Sequence, residues 1–295
     1  MNTGIGKFAL SSNTTACYNT AVGGCALYDN STGAENTATG YLALGDNTSG
    51  TENTALGYLA LRLNTTGGCN TATGSFALNT NTTGKNNTAH GYSALLYNET
   101  GCQNTGIGLE ALKANTTGCH NTAVGIFALR ANTTARRNTA SGSYAMFSTT
   151  SGAYNSADGH GAMLCNTTGA SNDAVGAYSF GNSTTGANNV AIGRDALNKN
   201  TTAHYNVAVG YKALCSNTTG AGNTASGYDS LRANTTGGAN VAHGTLSLYK
   251  NTTGGHNTAV GQCALGNNTT ASYNAAFGLS LIHISEPTRP ERIWY

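Results

Sequence analysis

The sequence predicts an all-β fold, a single parallel β-solenoid built from 17-residue coils. A glycine recurs every 17 residues from Gly6 to Gly278, without insertion or deletion, and an asparagine stands four residues before each of these glycines. Alanine and leucine recur with the same period. Because each copy of a short, fixed repeat meets the same surroundings, each copy corresponds to one coil of a stack. Residues 2–278 are therefore predicted to form about 16–17 coils.

Numbered from its asparagine, each repeat has the consensus N-T-A-V-G-Y-x-A-L-x-x-N-T-T-G-x-x. Positions 1 to 5 predict a strand, since β-branched residues at positions 2 and 4 favour extended backbone. Side chains alternate between the two faces of a strand, so positions 1, 3 and 5 are predicted to point inward and positions 2 and 4 outward. The inward set contains only asparagine, alanine and glycine, which suits a narrow interior.

Positions 8 and 9 supply the rest of the predicted core. Position 8 is alanine in 13 of 16 copies, and position 9 is leucine in 13 of 16. In-register stacking turns each position into a ladder, and the asparagines at position 1 are predicted to bond from coil to coil through their amides. The predicted structural ladders are represented by Asn19, Asn36 and Asn53, by Gly23, Gly40 and Gly57, by Ala26 and Ala43, and by Leu27, Leu44 and Leu61.

Positions 6 to 11 permit two predictions. A coil of this length suits two short strands joined by turns, so a second strand is expected opposite the first. These positions almost lack valine, isoleucine and threonine, and contain alanine, leucine, lysine, arginine and tyrosine, as in residues 58–63. Such residues tolerate helix. The alternative is therefore one strand plus a short helical turn per coil.

Positions 12 to 15, N-T-T-G, predict a turn. The same letters match the glycosylation sequon at Asn64 and Asn115, but a turn ladder explains their recurrence better. The threonines form ranks such as Thr65, Thr82 and Thr116. Because threonine ranks on a solenoid can bind ice, an ice-binding solenoid is a second alternative function. Ice binding favours alternate threonines on a strand, whereas these are adjacent and lie in a predicted turn.

The repeat pattern stops in mid-repeat after Gly278. Residues 279–289 read L-S-L-I-H-I-S-E-P-T-R, which matches in order the translation of a transposon-based sequencing-library adapter. The two prolines and the one tryptophan of the chain also lie in residues 279–295. We therefore expect residues 279–295 to be a non-native tail, and residues 1–278 to be a fragment of a longer array from environmental DNA.

Composition and charge argue against several classes of protein. A net charge of +2 with only 9% charged residues argues against a nucleic-acid partner, which requires clustered lysine and arginine. The 39% of hydrophobic residues argues against disorder. The sequence has no apolar run of about 18 residues, so no direct membrane insertion is expected. No signal peptide is visible after Met1.

Catalytic and cofactor chemistry is not predicted. The histidines occupy scattered repeat positions, with no nucleophile and base brought together, so the chain is expected to be a non-enzyme without a cofactor. Asp29 and Asp46 stand one repeat apart, as do Glu35 and Glu52. These four residues are a candidate for a surface metal site, and a solvated acidic patch is the alternative.

The eight cysteines include no C-x-x-C pair, which argues against a zinc site or a redox motif. Cys102 and Cys119 are one repeat apart, and stacking of adjacent coils would place their Cα atoms within disulfide range. A free pair of small turn residues is the simpler interpretation.

Residues 189–193 (N-V-A-I-G) and 206–210 (N-V-A-V-G) carry a distinctive form of the strand segment. They resemble the asparagine-to-glycine part of the head repeat of trimeric autotransporter adhesins, roughly N-S-V-A-I-G-x-x-S-x-A-x-G-x. The similarity extends to the serine three residues after glycine, as at Ser179, Ser230 and Ser247. The coil of that family is shorter and lacks the long N-T-T-G turn. The unit is also similar to repeat arrays of bacterial surface proteins and phage-like tail fibres.

This resemblance implies a left-handed parallel β-roll, a homotrimer, and an extracellular location on a cell surface or a virion. The expected function is accordingly a structural or adhesive extracellular repeat stalk, the head or shaft of a surface adhesin. The alternative is the shaft of a phage-like tail fibre. The tyrosines at position 6 are expected to contact a glycan or a host-surface protein, or else to pack over neighbouring coils. They are Tyr41, Tyr58, Tyr92, Tyr211 and Tyr228.

Overall fold

The computed structural model describes residues 1–279 and confirms the parallel β-solenoid with 17-residue coils. Apart from Leu279, the predicted tail of residues 279–295 lies outside the described residues. The strands, each of three residues, are β1 (Thr3–Ile5), β2 (Thr20–Val22), β3 (Thr37–Thr39), β4 (Thr54–Leu56), β5 (Thr71–Thr73), β6 (Thr88–His90), β7 (Thr105–Ile107), β8 (Thr122–Val124), β9 (Thr139–Ser141), β10 (Ser156–Asp158), β11 (Asp173–Val175), β12 (Val190–Ile192), β13 (Val207–Val209), β14 (Thr224–Ser226), β15 (Val241–His243), β16 (Thr258–Val260) and β17 (Ala275–Phe277).

Each strand pairs in parallel with the strands of the coils before and after it, so β1 to β17 form one sheet along the stack. The register is offset by one repeat at every step, as in Thr20 opposite Thr37 and Ala21 opposite Ala38. Coils are numbered after their strands. Identical positions therefore stack directly above one another, which converts every column of the repeat into a ladder.

The predicted second strand, positions 6 to 11, is wrong, and so is the alternative of a helical turn. Residues 1–279 contain one strand per coil and no helix. Positions 6 to 11 are instead a run of turns in which positions 7 and 9 have positive φ, for example 53° at Leu42 and 51° at Leu44. Left-handed backbone at a residue with a side chain costs about 1–2 kcal/mol, so other interactions must hold these residues in place.

Hydrogen bonds between coils hold this left-handed segment. The Leu42 N–H donates to the carbonyl of Gly24 in the preceding coil at 3.0 Å, and the Leu44 N–H donates to that of Ala60 in the following coil at 3.0 Å. The N–H groups at positions 7 and 9 therefore point to opposite neighbours, while that of Ala43 between them donates to the carbonyl of Gly40 in its own coil at 3.4 Å. Coils with two neighbours therefore satisfy backbone groups through both of them even where no strand forms.

The core is a narrow column of alanine and leucine. Ala26, Ala43, Leu27, Leu44 and Leu61 have no exposed surface, and the alanines at position 3 from Ala21 to Ala259 are at most 1% exposed. Small residues on the strand side leave room for the leucine from the opposite side, so the two layers fill the interior of each coil.

Position 9 changes side chain in three successive coils without a break in the column. Met146, Met163 and Phe180 replace leucine, and each is at most 1% exposed. Ser179, beside Phe180, donates its hydroxyl to the carbonyl of Gly176 at 2.8 Å, which satisfies a polar group in the core.

Asparagine at position 1 forms a continuous buried ladder. The backbone N–H of Asn36 donates to Oδ1 of Asn19 at 2.9 Å, and that of Asn53 donates to Oδ1 of Asn36 at 3.0 Å. The Nδ2 group of Asn53 donates to the carbonyl of Gly67, at position 15, at 2.9 Å. One amide thus joins the strand to the turn and each coil to the next.

A second buried ladder runs through position 12, at the start of the N-T-T-G turn, and is interrupted where Thr149 and Ser183 replace asparagine. Nδ2 of Asn64 donates to Oδ1 of Asn47 at 2.7 Å and to the carbonyl of Gly67 at 2.9 Å. Asn64 and Asn115, which lie in glycosylation sequons, have no exposed surface. Their amide nitrogens are committed to the interior of the folded chain.

Glycine at position 5 marks the end of every strand. Gly23, Gly40 and Gly57 have φ of 135°, 133° and 141°, which disfavours any residue with a side chain. A Cβ atom at Gly23 would also lie 2.5 Å from the carbonyl oxygen of Gly40 in the next coil. Both constraints apply in each coil that has a following neighbour.

Candidate functional site

The surface immediately after the strand carries an aromatic row, formed by side chains at positions 6 and 7. Tyr41 and Tyr58 stack with ring centroids 5.8 Å apart and planes 13° apart. Phe76 packs edge-on between Tyr58 at 5.4 Å and Tyr92 at 5.9 Å. Tyr41, Tyr58 and Tyr92 nevertheless remain about half exposed, at 52%, 48% and 52%. These tyrosines both pack over neighbouring coils and present ring surface to solvent.

Two further aromatic groups continue the row toward the C-terminal coils. One contains Phe127, Tyr144 and Phe147 and extends through His160, whose Nε2 lies 3.0 Å from the Tyr178 hydroxyl. The other is the Tyr211–Tyr228 stack, with centroids 5.5 Å apart and planes 17° apart. The row thus consists of separated groups of position-6 and position-7 side chains, joined in the second group by Phe147 at position 10, and does not continue through every coil.

An ion-pair cluster interrupts the row between the first two aromatic groups. The Glu110 carboxylate accepts hydrogen bonds from Lys113 Nζ at 2.8 Å and from Arg130 Nε at 2.6 Å. The hydrogen bond from Lys113 is the main reason that the pKa of Glu110 lies below its usual range. The one carboxylate of this cluster is therefore shared by two cations.

The outward face of the sheet carries positions 2 and 4. Position 2 is threonine in nine consecutive coils, from Thr3 in β1 to Thr139 in β9. Position 4 is mixed: Ile107, Val124 and Ile192 are 38%, 42% and 41% exposed, while other coils place threonine, serine, histidine or aspartate there. This face therefore combines a threonine rank with scattered apolar side chains.

The threonines of the turn divide into two ranks with different surroundings. At position 13 the hydroxyls of Thr65, Thr82 and Thr116 each donate to the position-13 carbonyl of the next coil, at 3.0, 3.0 and 3.1 Å. At position 14, Thr66 and Thr83 are exposed. The hydroxyls of the inner rank bond coil to coil, so only the outer rank is available to a ligand.

The four acidic candidates for a metal site belong to two separate columns. Asp29 and Asp46 occupy position 11, and Glu35 and Glu52 occupy position 17, with the N-T-T-G turn between the two columns. Burial is the main reason that the pKa of Asp46 is raised. Within residues 1–279, no three histidine, cysteine, aspartate or glutamate side chains come together as a metal-binding group.

Sequence reasoning missed two features of these surfaces. The alternation of N-T-A-V-G placed threonine on the outer face, but the ice-binding hypothesis considered only the threonines of the turn. The other is the phenylalanine at position 7, such as Phe76, which packs against the tyrosines at position 6, although adjacent residues of a regular strand point in opposite directions. The left-handed backbone at position 7 brings both positions into one row.

Comparisons with known proteins add no assignment to these surfaces. No protein-family model matches the sequence, and no curated protein is significantly similar to it.

In the part of the chain that the structure describes, no helix is long and apolar enough to cross a membrane.

Proposed function

We propose that this chain is a structural and adhesive extracellular stalk, the head or shaft of a surface adhesin. The observation that supports this proposal most directly is the continuity of bonding along the stack. Sheet pairing and the position-1 asparagine ladder join each coil to the next, and the position-12 asparagines and position-13 threonines add inter-coil bonds along most of the stack. Coils spaced by about 4.8 Å would give 17 strands a span of about 77 Å. Repetition of this kind supplies length and stiffness.

The stalk is proposed to be a homotrimer, as the resembling adhesin heads imply. The apolar part of the outer sheet face, including Val175 and Val209 at 43% and 37% exposure, offers surface that association would cover. Light scattering of the purified chain should give three times the 29.9 kDa of one chain. A monomeric mass at micromolar concentration would contradict the trimer, and particles in electron micrographs without an elongated shape would contradict the stalk.

The adhesive part of the proposal assigns glycan contact to the aromatic row. A glycan array incubated with the labelled chain should show binding to a restricted set of sugars. Replacing both Tyr41 and Tyr58 with serine should weaken that binding about tenfold or more, since exposed aromatic rings supply stacking surface. Tyr18→Ser is the matched control, because Tyr18 is 68% exposed at position 17, away from the row.

If the array shows no bound sugar, or if the control and the double variant lose binding equally, the aromatic row has no role in glycan contact.

The tail-fibre alternative requires the same shaft, with recognition placed elsewhere. Sequencing of the source DNA through codon 278 separates the two. A membrane-anchor segment downstream supports the adhesin, and a tail-fibre chaperone segment supports the fibre shaft.

Ice binding is a second candidate, favoured by the nine consecutive threonines on the outward sheet face. If this candidate is correct, the purified chain should separate the melting and freezing temperatures of its solution. Replacing Thr71 and Thr88 in the middle of the rank with tyrosine should reduce that gap. Absence of any gap at millimolar concentration would remove ice binding from consideration.

A further inference from the structure

Cys102 and Cys119 share position 16 of coils 6 and 7, and no other two cysteines of residues 1–279 share a position in adjacent coils. Their sulfur atoms lie 2.8 Å apart, and the backbone N–H of Cys102 also donates to Sγ of Cys119 at 3.1 Å. Register stacking therefore brings the two thiols into direct contact. A bond between them requires the sulfurs to approach by less than 1 Å, to the usual length of about 2.05 Å.

The backbone around the pair is held by inter-coil hydrogen bonds. The N–H of His120 donates to the carbonyl of Cys102 at 3.0 Å, and the N–H of Gln103 donates to that of Lys85 at 3.0 Å. These bonds fix the distance between the two cysteines. Cys119 also lines a shallow surface groove with Thr117 and Arg136, so a small reagent can reach the sulfur.

We propose that Cys102 and Cys119 are a redox modification site, forming an inter-coil disulfide that clamps coil 6 to coil 7. The oxidant is a low-molecular-weight disulfide such as oxidised glutathione. One cysteine thiolate attacks it, forming a mixed disulfide and releasing one thiol. The second cysteine thiolate then attacks the protein-bound sulfur and releases the other thiol. Two cysteine thiols are oxidised, one reagent disulfide is reduced to two thiols, and the protons of the cysteines pass to those thiols.

The hydrogen bond between the two thiols raises the pKa of Cys102 to about 11. Because the thiolate is the attacking species, the bond should form slowly near neutral pH and faster as the pH rises. Access for the oxidant and a fixed approach of the two sulfurs favour this pair, whereas the other six cysteines have no partner at the same position in a neighbouring coil.

The test is oxidation of the full chain, reduced beforehand and freed of reductant, with oxidised glutathione at pH 8.5. Thiol titration after unfolding should fall from eight groups to six, and the intact mass should fall by about 2 Da. A non-reducing peptide map should join the peptides that contain Cys102 and Cys119. Amide hydrogen exchange in β6 and β7 should slow at least severalfold in the oxidised chain, since the bond opposes separation of the two coils.

Cys102→Ser and Cys119→Ser should each abolish the loss of two thiols. Cys17→Ser is the matched control, because Cys17 also occupies position 16 but has Ala34 above it in the next coil. That variant should still lose two thiols on oxidation. A stable mixed disulfide without ring closure, a bond between other cysteines, or a bond between two chains would overturn the site. A disulfide between Cys102 and Cys119 that leaves amide hydrogen exchange in β6 and β7 unchanged would overturn the proposed clamp.

Discussion

Gly23→Ala is expected to lower the free energy of unfolding by about 3 kcal/mol or more, because the backbone at Gly23 and its contact with coil 3 both exclude a side chain. The φ of 135° is unfavourable for alanine, and the new Cβ would lie 2.5 Å from the Gly40 carbonyl oxygen. That oxygen belongs to the backbone, which is held by bonds to both neighbouring coils. The strain therefore cannot be relieved by rotation of a side chain.

The adjacent residue provides the matched control. Gly24 lacks a positive φ, and a Cβ there would meet only the Tyr41 ring, at 3.4 Å. Gly24→Ala should change stability by less than about 1 kcal/mol and can be stabilising, since alanine restricts the unfolded chain. Urea unfolding of both variants, with hydrogen exchange of coils 1 to 3 to detect local opening, makes the comparison. Equal effects at the two glycines would show that position 5 is not conformationally restricted.

Asn70→Asp should destabilise the chain by about 3 kcal/mol or more near pH 7, and much less at low pH. Oδ1 of Asn70 accepts from the backbone N–H and Nδ2 of Asn87 at 3.0 and 3.1 Å. Its Nδ2 donates to the carbonyl of Gly84 at 2.9 Å and to Oδ1 of Asn53 at 3.1 Å. Aspartate keeps the acceptor, but it places a buried carboxylate oxygen against two other oxygens.

The sign of the pH dependence follows from this arrangement. Both oxygen neighbours and burial disfavour the carboxylate, so the folded-state pKa of the new aspartate must lie above its unfolded value of about 3.9. Stability is then highest below pH 3.9, where the protonated carboxyl can donate as the amide did, and falls as the pH rises through the folded pKa. The free energies of unfolding of the variant and the parent are measured by urea unfolding at pH 3.5 and at pH 7. The difference between the two proteins is then compared at the two pH values.

Asn86→Asp, at an exposed side chain, is the control and should show little pH-dependent difference from the parent. If Asn70→Asp lowers stability by the same amount at both pH values, altered packing, and not the missing donor, causes the destabilisation. Such a result would contradict the assignment of the ladder as a hydrogen-bonded chain of amides.

The coil length, the strand and the alanine and leucine columns could be predicted from sequence because they depend on the period, which recurs in every copy, and on alternation, which is visible within one repeat. The second side of the coil could not. Ala43, Leu44 and their equivalents favour helix locally, yet Leu44 adopts φ of 51° because its N–H bonds to another coil and its side chain is buried. Propensity describes one residue in isolation, whereas these bonds exist only once the coils have stacked.

The second asparagine ladder illustrates the same limit at a polar residue. Asparagine in N-T-T-G is typical of an exposed turn, and the turn is present, but Asn47 and Asn64 point into the stack and bond to each other. Sequence alone does not distinguish an inward from an outward amide at a turn. The aromatic row is similar, since Tyr58 and Phe76 meet only because positions 6 and 7 of neighbouring coils share a surface.

The constant offset of one repeat between neighbouring strands has a consequence for the gene. Unequal recombination that adds or removes one coil's codons rejoins two coils through the same pairing of positions as before. A change by any other number of codons moves asparagine off its column and exposes alanine and leucine. Rod length can therefore evolve in whole-coil increments, as a heritable quantity that varies independently of the structure of each coil.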